Sequence, residues 1–243
     1  TWRPYAHHVH QDDAHVLHPG DALYGQYLVA VGPNGWAIDE PGVYTVQAAL
    51  ELDGEDVVSN PLEVRVAPPR GYDEEFLAQE FFGDEVGRTL AFTGTRHFEG
   101  ANDTLRQVVD QMPERRVATH ARLALANPLT RPYKLLLADA AETPADEVDR
   151  RFKILKAEPD EARTALTEAL LEAPGTAAET LGHIAYRDEV ESFGAFLAEE
   201  VDSGAAAASL HTGAQALASR KVLGRGVDDL EAQGKGYSSK GSK

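Results

Sequence analysis

The sequence predicts an α+β multidomain chain: an N-terminal antiparallel β-sandwich followed by a C-terminal all-α region, either a helical-hairpin array or a bundle. Three observations carry this expectation. Up to residue 68, apolar and β-branched residues alternate with a period of two between Gly, Pro and Asn turn signals. Pro68-Pro69-Arg70-Gly71 then interrupts the pattern, because two prolines stiffen an extended linker and remove backbone donors from any continuing strand. From Asp73 onward apolar residues recur at spacings of three and four. The expected organisation is a sandwich over 1–68, a linker over 69–71, a helical domain over 72–233 and a Gly/Ser/Lys tail over 234–243.

The strands are read in order. Tyr24 to Val31 is the first, and Gly32-Pro33-Asn34-Gly35 turns it into Trp36-Ala37-Ile38. Glu40-Pro41-Gly42 leads into Val43 to Leu50, and Asp53-Gly54 predicts a hairpin, since Gly accepts the positive φ that a type I′ turn demands. Val57-Val58 and Leu62 to Val66 follow, the latter alternating between apolar and charged residues. Trp36, Tyr44, Tyr24 and Tyr27 are spaced as sandwich-core residues, with carbohydrate or peptide stacking as the other role of such rings.

In the helical half, Phe76, Phe81, Phe82 and Phe92 are expected to anchor the first helices, against the sandwich as well as each other. Pro144 and Pro159 fit first helical positions, with acidic residues in the turn that follows, where the helix dipole favours negative charge. Thr89-Leu90 and Thr180-Leu181 lie 91 residues apart and suggest two copies of a unit, with helices over Asn102 to Met112 and Glu191 to Val201. Gly224-Arg225-Gly226 predicts a helix stop and restart. The closing Gly234 to Lys243 has the composition of a flexible tail that docks on an acidic surface or is held by a neighbour.

Two resemblances rest on these segments. Pro41-Gly42-Val43-Tyr44-Thr45-Val46 and Val58-Ser59-Asn60-Pro61-Leu62-Glu63-Val64-Arg65-Val66 resemble the closing strands of bacterial immunoglobulin-like domains, without the Cys pair of antibody domains. Ala101 to Asn127 is similar to a tetratricopeptide-type helical hairpin, although a regular 34-residue period is missing. The first resemblance implies an extracytoplasmic spacer, adhesion or docking module.

Composition narrows the function classes. The 243 residues carry 23 Lys+Arg against 40 Asp+Glu, a net charge of −17, so neither nucleic acid nor an anionic membrane is an expected partner. Zero cysteines exclude disulfides, a thiolate nucleophile and Cys-ligated metal. No apolar run approaches the ~20 residues that span a bilayer. The chain opens at Thr1 with no initiator Met and no leader, which reads as a processed chain or an excerpt.

Motifs of catalysis are missing: no His-Glu-x-x-His, no Gly-x-Ser-x-Gly, no P-loop and no Rossmann fingerprint. No catalytic residue and no cofactor is expected. The densest set of ligand-type side chains is His7 to His18, in which His8, His10 and His15 are the metal candidates, because His8 and His10 would share one face of a strand. Without the ligand spacing of a zinc class, a solvated edge strand is the simpler reading. His97, His120, His183 and His211 read as ordinary surface or core residues, and Asn102-Asp103-Thr104 matches the N-glycosylation pattern. The expected function is a non-enzymatic protein-binding or scaffold module of an exported or cell-surface protein, with a protein partner or self-association. The alternatives are the accessory region of a secreted hydrolase or metal enzyme, and a structural subunit of an extracellular assembly.

Overall fold

The structure is a computed structural model and describes residue 19 and residues 27–52, 54–137, 152–221 and 225–240. Strands come first. β1 (Val31–Gly32) and β2 (Gly35–Trp36) pair antiparallel, Val31 opposite Trp36, across the Pro33-Asn34 turn. Gly35 takes φ 86°, a conformation that glycine adopts without strain. β3 (Gly42–Val46) pairs with β6 (Leu62–Val66), and β4 (Ala49–Leu52) with β5 (Glu55–Val58) through a turn at Gly54, φ 83°.

These four strands form one long ribbon with a defect in the middle. Val46 faces Leu62, but Ala49 faces Val58, so Gln47 and Ala48 oppose three residues, Ser59, Asn60 and Pro61. The extra residue is a β-bulge. Ser59 seals it: its N–H donates to the Ala48 carbonyl at 2.8 Å and its Oγ accepts from the Ala48 N–H at 3.0 Å. A side-chain period of two means that one inserted residue reverses the faces of the outer half. Leu50 (60% exposed), Val57 and Val58 stand in solvent at that end; Val57 and Val58 point to opposite faces, so neither face of β5 is covered by the described residues.

The expected sandwich is therefore met only in part: the strands are antiparallel, but those described make two-stranded sheets and no closed sandwich. Trp36 shows why. It belongs to no sandwich core and packs instead on the helical half, its ring 5.6 Å from Phe81 and 5.0 Å from Phe82, with Nε1–H donating to the Gly83 carbonyl at 3.0 Å. Val31, on the partner strand, is buried beside it against Gly87. Phe81 and Phe82 thus act as expected of anchors, whereas Phe76 and Phe92 are about half exposed and do not.

The helices are α1 (Tyr72–Phe81), α2 (Asp84–Ala91), α3 (Glu99–Gln111), α4 (Arg116–Ala126), α5 (Pro159–Leu170), α6 (Pro174–Leu181), α7 (His183–Glu200), α8 (Ser203–Ser219) and α9 (Arg225–Lys240). Pro159 and Pro174 start their helices, where the missing N–H costs nothing. Asp202 caps α8 by accepting from the Ala205 N–H at 2.7 Å. Two apolar clusters result, one among α1–α4 and one among α4–α9. α4 belongs to both: Ala121 and Ala124 face the first, Leu123 and Ala126 the second, so its small residues let helices approach from two sides.

Other expectations are corrected. The helical region is interrupted by the antiparallel pair β7 (Tyr133–Leu136) and β8 (Phe152–Leu155). The proposed second helix at Glu191 is the back half of the continuous α7, so the two-copy arrangement is not reproduced. Residues 234–240, whose composition is that of a flexible tail, continue α9, with Gly234 buried against α8 and Ser238 donating to the Gly234 carbonyl at 3.1 Å. The expected start at Pro144 lies outside the described residues.

Candidate binding groove

Three helices each turn one stripe toward a common groove. Glu99, Asn102, Asp103, Arg106 and Val109 recur at helical spacing along α3, Arg122 and Leu125 along α4, and Glu161, Ala165 and Glu168 along α5. Leu129, Leu155 and Glu158 close one end, and the enclosed volume is about 670 Å³. Volumes of this order accommodate drug-sized ligands or short peptide segments.

The end of the groove is fixed by bonds across long stretches of chain. Arg96 pairs with Glu158 and donates through Nη1 to the Lys156 carbonyl at 2.7 Å. The Thr95 hydroxyl meets the Tyr133 hydroxyl at 2.7 Å and accepts from the His97 N–H at 3.1 Å. The Thr95 carbonyl accepts from Asn102 Nδ2 at 2.9 Å. Loop, β7 and the approach to α5 are thereby locked to α3, so the wall is held in place before any ligand arrives.

Polar groups in this wall are not all satisfied. Asn102 is only 8% exposed and its Oδ1 has no hydrogen-bond partner; the Nε of Arg122 is likewise buried without one. Among the described residues, the outer nitrogens of Arg122 reach only the Pro113 carbonyl, at 3.4 and 3.5 Å. An acceptor and a donor in such a state each cost about 1–3 kcal/mol of desolvation. Glu99, Glu161 and Glu168 make no ion pair among the described residues, whereas Arg106 pairs with Asp103 at 2.6 Å.

None of these residues carries a catalytic signature in the sequence, where Asn102 is read as the acceptor of a glycosylation pattern. Its burial within α3, with Thr104 also buried and its hydroxyl bonded to the Gly100 carbonyl, removes that role. The metal candidates His8, His10 and His15 lie outside the described residues; among those described, no group of three His, Asp or Glu side chains is placed to hold a metal ion. No helix of the described residues is long and apolar enough to cross a membrane. No protein-family model, curated protein or solved structure matches this chain.

Proposed function

We propose that the chain is a non-enzymatic protein-binding or scaffold module, and that the groove between α3, α4 and α5 receives an extended peptide segment of its partner. The single observation that supports this is the pair of buried unpartnered atoms, Asn102 Oδ1 and Arg122 Nε, on side chains that line the same groove. A peptide unit presents one N–H and one C=O, the complement of that pair. Val109, Leu125, Leu129, Leu155 and Ala165 supply apolar surface for the flanking side chains. The test is selection of binders from a random displayed peptide library, followed by hydrogen exchange of the bound protein. Added protection over residues 99–109, 122–125 and 158–168 is the expected result. Failure to select any binder, or protection confined to the β3–β6 ribbon or to α8 and α9, would overturn the reading.

A further inference from the structure

A second cavity, of about 300 Å³, lies on the other side of α5, where one stripe of α7 faces the connection out of α4. Glu189, Phe193 and Phe196 occupy that stripe at spacings of four and three, and the two rings are stacked with centroids 6.2 Å apart. Asn127 lines the cavity on the side opposite Glu189. Arg131 lines the same cavity and makes no ion pair or hydrogen bond with the described residues, Glu189 included. A carboxyl and a guanidinium thus border one small space without neutralising each other, with an aromatic wall beside them.

The rim is held rigidly. Gly94, at φ 113°, sits so close to the end of α4 that a Cβ there would lie 2.1 Å from the Ala124 carbonyl oxygen and 2.7 Å from Pro128. Pinned next to it, Thr93 takes φ 55°, a left-handed conformation that non-glycine residues adopt only under strain. Strain of this kind persists only where the surroundings impose it, and here it borders the cavity. The Glu189 carboxyl is also pushed above the usual carboxylate range, chiefly by burial, and no ion pair with the described residues offsets this.

We propose that this cavity binds a small zwitterion of amino-acid or dipeptide size, its ammonium on Glu189, its carboxylate on Arg131 and its apolar side chain against Phe193 and Phe196. A carboxylate matches the guanidinium fork, and an ammonium beside a desolvated carboxyl and aromatic faces gains both ion pairing and cation–π attraction. The volume lies at the small end of ligand pockets and suits such a guest.

Isothermal titration with L-phenylalanine and glycyl-L-phenylalanine tests the site, against phenylalanine amide, which lacks the carboxylate, and N-acetylphenylalanine, which lacks the ammonium. At least one zwitterion is expected to bind ten-fold or more tightly than both blocked forms. Arg131→Gln should abolish the advantage over the amide, and Glu189→Gln the advantage over the acetylated form, with the folded circular dichroism spectrum kept. No saturable binding of either zwitterion at millimolar concentration, equal binding of the blocked forms, or variants that bind as the parent does would each overturn the proposal.

Discussion

Val190 of α7 occupies the space that a side chain on Gly213 of α8 would need: a Cβ built on that glycine would stand 2.6 Å from Val190 Cγ1. The relation is reciprocated one turn along, where Leu210 of α8 lies 3.0 Å from the Cβ position of Gly194 on α7. Each helix thus sets a large residue on the other's glycine, and Val190, Leu210 and the two backbones are buried together in the larger apolar cluster. Close-packed interiors have little room to absorb an added methyl.

Gly213→Ala should therefore destabilise the protein by about 1–3 kcal/mol, although alanine is the better helix former. Denaturant titration of the variant checks this. A stability equal to or above that of the parent would mean that α7 and α8 are not packed as described.

Gly236 gives the opposite case. It lies within α9 with nothing near its Cβ position, so Gly236→Ala should add up to about 1 kcal/mol of stability through helix propensity. The gain requires residues 234–240 to be helical. An unchanged melting temperature would return this segment to the flexible tail its composition suggests.

Tyr186 is fully buried, and its hydroxyl donates to the Leu170 carbonyl at 3.1 Å at the end of α5. Burial raises the phenol's pKa well above its usual value, so it stays a neutral donor throughout the accessible range. Tyr186→Phe leaves that carbonyl without its donor and should cost about 1–3 kcal/mol, read by chemical denaturation. A neutral substitution would show that the bond adds nothing over solvent.

Glu189 links stability to pH. Its carboxyl is raised above 4.5 by burial, with Asp188 adding to the rise and the Asn127 hydrogen bond opposing it. The folded protein then holds this proton more tightly than the unfolded chain does. Its contribution is most favourable below the unfolded value near 4.5 and is lost as pH climbs through the raised folded value. Glu189→Gln should melt above the parent at pH 7, and the difference should vanish under acid conditions, where both side chains are neutral. Melting curves that differ by a constant amount at every pH would contradict this.

Local chemistry was readable in the sequence where a single residue decides the geometry. Gly35 and Gly54 mark turns that need positive φ, and Pro159 marks the first residue of α5. The helices α3 and α4 follow from apolar spacing, and Pro113 marks the break between them. What a face packs against was not readable. Alternation put Trp36 on one side of a strand but could not say that its partners are Phe81 and Phe82. The run Tyr133 to Leu136 is too short for its period to separate strand from helix. The groove was hidden for a similar reason: Thr95, Arg96, Asn102, Arg122, Tyr133 and Glu158 are brought together by contacts that span as many as 62 positions, and no spacing rule connects them. An unpaired Nε or Oδ1 exists only once the fold has buried it.

The most direct test of the groove is Arg122→Lys, measured in parallel for peptide binding and for thermal stability. Lysine keeps the charge but removes the buried Nε donor that has no partner. With a peptide selected as above, affinity should fall about ten-fold, the value of one hydrogen bond to a charged group, while the melting temperature holds or rises because an unsatisfied donor is gone. Unchanged affinity, or affinity and stability falling together, would contradict the assignment of this groove as the binding site.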